Sequence, residues 1–280
     1  MKRILAHQTG FTLVELLVTL LIVGAITAAS FNFYKNEHNN MIVQENVSDM
    51  QTSLRSSLDE ITRTARNAGA NLPDGISPIS VSNTNPDTLE IRFAAMGCNV
   101  LVGDHTQKQN ANPIHVEKGS DLSCFKDGDN IYLWHPTLGY GEYFIVTKTA
   151  TNSGSGWEEV HHKLNDLSVD PSVGDILVSM QEFKYFIDNA DVDHPRLMRS
   201  VLGGEPQIYA DNISDFQVQF VLTKGDTVSV LAANDTVATA LLSMAAHTEM
   251  VDVEAVKFGN DGRRKRQLAT EVVLRNNRFR

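Results

Sequence analysis

Glu15 is the residue whose position most needs a chemical explanation. It is the only formal charge in residues 11–34, and residues 16–31 (LLVTLLIVGAITAASF) carry no charge at all. A charged side chain in hydrocarbon costs about 2.5–3.5 kcal/mol on insertion scales, and a paired charge costs far less than an unpaired one. We therefore expect Glu15 to have a positively charged partner.

Other groups that could do chemistry lack the spacing that a site requires. The histidines form no zinc pattern such as HExxH, and the chain has no G-x-S-x-G elbow, phosphate loop or recognisable Cys/His pair. The aspartates of DNADVDHP could give oxygens to calcium, but this loop lacks the glycine and the distal glutamate of an EF-hand, so a solvated acidic turn is favoured. We expect no enzymatic activity, no cofactor and no bound metal. The residues considered are His105, His115, His135, His161, His162, His194, His247, Asp188, Asp191 and Asp193.

The charge balance, 24 Lys and Arg against 34 Asp and Glu, argues against a mainly electrostatic grip on nucleic acid. Residues 263–266 (RRKR) form a basic run that could contact phosphate, but no aromatic residue is interleaved with it. A solvated strand end that resists edge pairing is the favoured interpretation. Nucleic acid is not the expected partner.

Residues 11–34 are long enough to cross a bilayer as one helix. Lys2 and Arg3 precede this span and should hold the N-terminus in the cytoplasm, so the chain beyond residue 35 should lie outside. The alternative is a secretory signal peptide, in which the small residues 25–30 would precede the cleavage site. The charge at the head of the apolar run and the helical pattern beyond residue 31 count against that alternative.

The apolar residues of the next segment follow one another at steps of three and four. This spacing predicts one stripe along an amphipathic helix. No proline occurs before Pro73, and Gly69 stands where a helix end favours glycine, so we expect one helix over residues 12–68, about 85 Å long. The stripe should pack on a globular domain, and a coiled-coil seam is the alternative. Its members are Val43, Val47, Met50, Leu54, Leu58, Ile61, Ala65 and Ala68.

From Pro73 onward, turn-forming clusters alternate with short strand-like runs. The fold class is therefore α+β, with a long N-terminal helix packed on a mainly antiparallel β globular domain. Alternating apolar residues predict strands around 89–93, 183–187 and 216–222. We also expect a hairpin of 251–258 and 268–274 around the turn at 259–262, and a short helix at 238–247.

Cys98 and Cys124 are the only cysteines. In a domain exported to an oxidising space, an even pair is most simply a disulfide. Closing a loop of about 27 residues would stabilise the fold by roughly 3 kcal/mol in the chain-entropy model. Two unconnected buried thiols are the alternative.

The stretch GFTLVELLVTLLIVGAI, which starts at Gly10, resembles the processing and assembly segment of type IV pilins and of the pseudopilins of type II secretion. The close part of the match covers residues 10–33. Three later stretches resemble, more loosely, large minor pilins of the PilW type and the similar J-type minor pseudopilins. These are RNAG at 66–69, ISDFQVQF at 213–220 and ATEVVLRN at 269–276.

This resemblance implies that prepilin peptidase cuts after Gly10 and methylates the new amine of Phe11. The chain then divides into a leader (1–10), a membrane-spanning and filament-core half of the helix (11–34), an amphipathic half (35–69) and a pilin-like globular domain (70–280). In this family the glutamate at the position of Glu15 pairs with the N-terminal amine of the neighbouring subunit. The alternatives are an intrachain pair with the amine of Phe11 and a carboxylate that reaches the headgroups.

The sequence thus predicts a minor pilin that lies at or near the tip of a type IV pilus and helps to start its assembly. The expected partners are prepilin peptidase, other minor and major pilin subunits and the inner-membrane assembly platform. The expected location is the inner membrane, with the globular domain in the periplasm, and then the pilus or a periplasmic pseudopilus. A minor pseudopilin of type II secretion is one alternative, and a secreted periplasmic binding or hydrolytic protein with an ordinary signal peptide is another.

Overall fold

The computed structural model describes residues 11–103, 112–163, 167–232, 235–252, 256 and 261–274. Within them one long helix precedes a series of antiparallel strands, which confirms the predicted α+β fold. The elements are α1 (Leu13–Arg66), β1 (Ile79–Ser82), β2 (Thr88–Leu101), β3 (Ile114–Val116), β4 (Asn130–His135), β5 (Tyr140–Thr151), β6 (Glu158–His162), β7 (Ile176–Asp188), β8 (Arg196–Val201), β9 (Gln207–Asp211), β10 (Ile213–Leu222), β11 (Thr227–Val228), β12 (Val237–His247) and β13 (Lys265–Val273).

Helix α1 is one continuous element of 54 residues. At 1.5 Å per residue it is about 81 Å long. Thr12 is its N-cap and Asn67 its C-cap, so the helix predicted over residues 12–68 is confirmed nearly to its ends. Beyond the C-cap, Gly69 has a φ of 77°, a left-handed conformation that glycine adopts without strain.

The strands form two sheets. The larger has nine strands in the order β1-β2-β7-β4-β5-β6-β3, with β8 paired to β7 and β9 paired to β8. Strand β7 lies at its centre, because β2 follows one edge of it while β4 and then β8 share the other edge. The smaller sheet has four strands in the order β11-β10-β12-β13.

Strand β12 corrects the helix predicted at 238–247. The segment is rich in Ala, Leu and Met, which favour helices in isolation. Its buried residues alternate, however, and Ala240, Leu242, Met244 and Ala246 all enter the main core. Burial of one face against α1 and the neighbouring strands overrides the local preference.

The hairpin predicted for 251–258 and 268–274 is also wrong. Strand β13 pairs along its whole length with β12, from Lys265 opposite His247 to Val273 opposite Thr239. Val251 and Asp252 lie outside strands, and residues 253–255 and 257–260, with most of the predicted turn, lie outside the described residues. The buried apolar residues of β13 pack instead in the main core, next to those of β12.

The second half of α1 packs against both sheets. The stripe predicted for it is confirmed, since its members from Met50 to Ala68 are buried in one cluster with residues of both sheets. This packing contradicts the coiled-coil alternative for that part of the stripe. The Thr64 hydroxyl also lies 3.3 Å from the Tyr185 hydroxyl, and burial raises the pKa of Tyr185 to about 12, so the phenol stays protonated.

Cys98 and Cys124 form a disulfide in the structure, with their Cα atoms 5.6 Å apart. The bond borders a second apolar cluster, which is separate from the cluster around α1. That second cluster consists of Val100, Val102, Ile114, Val116, Phe125, Ile131, Leu133, Phe144, Val146, Val160, Leu167 and Leu177.

Asp87 joins the two sheets. Its backbone N–H donates to the carbonyl of Phe216 at 2.8 Å, and its Oδ2 accepts the N–H of Val218 at 2.8 Å. The residue therefore satisfies the backbone of β10 as a paired strand would, although it precedes β2 of the other sheet.

Candidate subunit-assembly site

The first half of α1 contacts no other part of the described chain. Residues 11–41 are all exposed, and the apolar side chains among them include Phe11, Leu13 and Leu21, each more than 70% exposed. By length and composition the apolar part of this stretch, residues 11–34, could cross a membrane. A helix that is apolar all round requires lipid or the helices of other subunits as its surroundings.

Two threonines in this half have their hydroxyls satisfied within the helix. The hydroxyl of Thr19 donates to the carbonyls of Glu15 and Leu16, each at 2.9 Å, and the hydroxyl of Thr27 donates to the carbonyl of Val23 at 2.8 Å. In hydrocarbon an unsatisfied polar group costs several kcal/mol, on the order of a lost hydrogen bond or more. These threonines are therefore compatible with an apolar environment.

Glu15 and Thr12 form a capping box at the head of α1. Oε2 of Glu15 accepts the backbone N–H of Thr12 at 2.9 Å and its hydroxyl at 3.0 Å, while the N–H of Glu15 donates to that hydroxyl at 3.2 Å. The carboxylate is thus held at the N-terminal end of the helix, where the helix dipole favours a negative charge. The interpretation of the sequence did not include Thr12, although the pattern T-x-x-E ahead of an apolar run is the signal for such a box.

Of the other residues expected at this site, the structure describes Phe11 but not Gly10. Phe11 lies at the head of the chain that is described, 87% exposed and four residues before Glu15. Gly10 and the rest of residues 1–10 lie outside the described residues. Phe11 and Glu15 are therefore four residues apart at the N-terminal end of α1.

Most of the acidic loop at 188–193 is engaged by the chain itself. The carboxylates of Asp188 and Asp191 accept backbone N–H groups two residues further on, each at 3.0 Å. The carboxylate of Asp193 lies 3.3 Å from the guanidinium of Arg263, which also donates to the backbone carbonyl of Asp193. This arrangement agrees with an acidic turn.

The basic run at 263–266 is largely neutralised by nearby acids. Besides the Arg263 pair, Arg264 lies 2.6 Å from Asp252 and Lys265 lies 2.7 Å from Asp261. His247 is next to this run, and burial lowers its pKa, with Arg263 and Lys265 lowering it further. These contacts leave little positive charge there for an outside phosphate.

Three contacts between histidines and carboxylates were not predicted from the sequence. The Nδ1 of His135 lies 2.7 Å from Oδ2 of Asp175, and both side chains are buried. Glu159 lies between two other histidines, 3.5 Å from Nε2 of His115 and 3.4 Å from Nε2 of His161. Among the residues that the structure describes, no group of three or more such side chains has the arrangement of a metal site. His105 lies outside those residues.

Comparisons with known proteins bear on the N-terminal segment. Residues 5–31 match the family model described as the prokaryotic N-terminal methylation motif. Among solved structures, the chain is similar to a type IV-like pilin from Thermus thermophilus, with 11% identity, a TM-score of 0.37 and coverage of 81% of this chain and 97% of that one. No curated protein matches the chain significantly. The matched motif includes the exposed apolar head of α1, so the N-terminal segment of this chain carries the prokaryotic N-terminal methylation motif.

Proposed function

We propose that this chain is a minor pilin of the PilW type, which is incorporated at or near the tip of a type IV pilus and helps to start filament assembly. The observation that carries the proposal is the division of α1. One half is apolar and uncovered with Glu15 at its head, and the other half is fixed in a globular core. Such a helix can pass from the membrane to a filament without any change in the domain.

The proposal assigns cleavage to the bond between Gly10 and Phe11 and methylation to the amine of Phe11. Cleavage creates an ammonium group at the cytoplasmic end of an apolar helix, four residues before Glu15. Both described hydrogen bonds from Thr12 fall on Oε2 of Glu15. Since a carboxylate accepts about four hydrogen bonds, it has capacity for the ammonium of a neighbouring subunit. Pairing the two charges in a low dielectric removes the cost of leaving each one alone.

The large domain supports a position at the tip. Residues 70–280 contribute two sheets and more than one apolar cluster, and this bulk is easier to place where it is not repeated around a shaft. In this role the chain is structural, and it would reside in the inner membrane with the domain in the periplasm before assembly. A minor pseudopilin of type II secretion has the same helix and motif, and its companion subunits would distinguish it.

A secreted protein with an ordinary signal peptide fits the structure less well. Cleavage near Phe31 would cut inside α1, which is continuous from Leu13 to Arg66. The remaining helix would keep its buried stripe but lose the exposed apolar half.

The mass of the N-terminal peptide tests this proposal. The membrane-extracted protein should begin at methylated Phe11 in cells that contain prepilin peptidase, and should keep its leader in cells that lack the enzyme. The processed chain should then appear in the sheared filament fraction. A mature N-terminus near Phe31, or processing that does not depend on the peptidase, would contradict the proposal.

A further inference from the structure

Strand β13 is an unusually long sheet edge. It has nine residues and pairs with β12 without a register shift. The other strands at the ends of the two sheets, within the described residues, are β1, β3, β9 and β11, and these have two to five residues each. Proteins usually keep edge strands short or interrupt them, because a long regular edge is a template for another strand.

The hydrogen bonds of β13 alternate between its two sides. At one end the N–H of Leu274 donates to the carbonyl of Ala238, and at the other end the N–H of Thr248 donates to the carbonyl of Arg264. Even-numbered residues of β13 therefore exchange bonds with β12. The odd-numbered ones direct both N–H and C=O to the open side, as an antiparallel ladder requires. These are Lys265, Gln267, Ala269, Glu271 and Val273; their side chains are exposed, and no other strand of the described residues pairs with this side.

Positive charge protects only the start of this edge. The basic run was interpreted as a device against edge pairing, but in the structure it reaches no further into β13 than Lys265 and Arg266. Residues 267–273 (QLATEVV) contain no lysine, arginine or proline. Glu271 is the one charged residue among these seven, so this part of the edge has few of the features that usually prevent pairing.

Two contacts give the direction of the strands relative to α1. Gly69, beyond the helix end, donates to the carbonyl of Arg92, which is paired with Glu182 of β7. Thr64, one turn or more earlier in the helix, contacts Tyr185 further along β7. Strand β7 therefore runs back toward the beginning of α1.

The start of β13 lies at that same end of the domain. The connection that follows β7 contains Asp193, and Asp193 binds Arg263 just before β13. Strand β13 consequently starts at the end of the domain nearer the apolar half of α1 and runs away from it.

A second copy of this chain does not suit the edge. Antiparallel pairing of two β13 strands would reverse one α1 relative to the other, so both apolar halves could not enter one membrane. Parallel pairing about a twofold axis would place Lys265 beside Lys265 and Glu271 beside Glu271, and like charges directly opposite are destabilising. This argument against a second copy depends on the proposed function in one respect: it requires that both apolar halves enter the same membrane.

We propose that the open edge of β13 binds an extended strand of a different pilin subunit, running antiparallel to β13 and therefore toward the membrane. Backbone hydrogen bonds to the odd-numbered residues would provide the affinity, as in other cases of strand addition. An acidic residue of the partner opposite Lys265 and a basic residue opposite Glu271 would set the register. The result would be a continuous sheet across two subunits of the tip.

Amide hydrogen exchange tests this interface directly. The full-length protein is measured alone in detergent, and again in membranes or sheared filaments from cells that express all the filament subunits. The amides of Gln267, Ala269, Glu271 and Val273 should exchange on the order of tenfold more slowly in the second sample. Equal rates in both samples would overturn the inference, even where the processed Phe11 terminus shows that the pilin pathway operates.

Variants at Ala269 add a second measurement. Ala269→Pro removes an N–H that makes no bond to β12, and Ala269→Ser keeps that N–H as the matched control. Proline should abolish the protection of the neighbouring amides, and serine should preserve it. Protection that survives proline in a folded protein would contradict the inference. So would efficient disulfide cross-linking between two copies carrying Ala269→Cys, since it would make the occupant a second copy.

Discussion

The carboxylate of Glu15 and the hydroxyl of Thr12 fix each other at the head of α1. The hydroxyl lies 3.0 Å from Oε2 and also accepts the N–H of Glu15 at 3.2 Å. The glutamate is therefore part of the helix terminus rather than a side chain that extends freely toward the headgroups. Any role of its charge in assembly must be separated from its role in capping.

Substitutions at the capping box make that separation. Glu15→Gln keeps an acceptor for Thr12 but removes the charge, whereas Thr12→Ala removes the cap and costs about 0.5–2 kcal/mol of helix stability. We expect Glu15→Gln and Glu15→Ala to be processed at residue 11 but to fall at least about tenfold in the filament fraction, as loss of a charge pair worth about 1.4 kcal/mol or more would produce. Thr12→Ala should remain in filaments. Immunoblots of sheared filaments measure the effect, and retention of Glu15→Gln with loss of Thr12→Ala would show that capping alone matters.

The same substitution should destabilise the domain in the second half of α1 but not in the first. Leu54 is fully buried between the sheets, and Leu16 is 55% exposed. Leu54→Ala should lower the free energy of unfolding by about 2–5 kcal/mol, because it leaves a cavity in a closely packed core. Leu16→Ala should leave the stability of the domain within about 0.5 kcal/mol of wild type.

Denaturant unfolding of the full-length protein in detergent, followed by tryptophan fluorescence, measures both variants. Equal losses for Leu54→Ala and Leu16→Ala would mean that the apolar half also packs on the domain. Incorporation into filaments should instead be sensitive to Leu16→Ala, because only the exposed half of α1 would line a filament core.

The sequence predicted the parts of this fold that depend on local periodicity. The stripe on α1 and the alternation in β2, β7 and β10 follow from periods of 3.6 and 2. It failed where neighbours decide the outcome: β12 has helix-forming residues, and the partner of β13 depends on which strand offers a buried face. The T-x-x-E pattern at Thr12 was readable and was missed.

Contacts between residues distant in sequence left no local signal. Asp87 with Val218 and His135 with Asp175 are pairs of this kind, separated by 131 and 40 residues. A single sequence gives no means of pairing them, because each residue alone is an ordinary polar residue next to a strand.

Loss of the Cys98–Cys124 bond should loosen the second apolar cluster more than the core around α1. The bond spans 26 residues of sequence and lies beside that cluster. In the chain-entropy model its removal costs roughly 3 kcal/mol. Hydrogen exchange of a Cys98→Ala, Cys124→Ala double variant should therefore speed up in β3, β4 and β6 while the amides of residues 54–65 stay protected. Faster exchange along α1 would show that both clusters unfold as one unit.

Asp87 should make the junction between the sheets sensitive to pH. Burial raises the pKa of its carboxyl and the nearby charge of Asp215 raises it further, while the hydrogen bond from Val218 acts in the opposite direction. Because the folded pKa lies above the unfolded one, folding favours the protonated form. The ionised carboxylate therefore opposes folding at neutral pH, and that cost disappears as the pH falls through the folded pKa toward about 3.8. Wild type should gain stability relative to Asp87→Asn over this interval, measured by denaturant unfolding at each pH.

Asp87→Ala should lose about 1–3 kcal/mol at every pH, because the N–H of Val218 is left without an acceptor. A pH-independent difference between wild type and Asp87→Asn would show that the carboxylate is solvated in the folded protein.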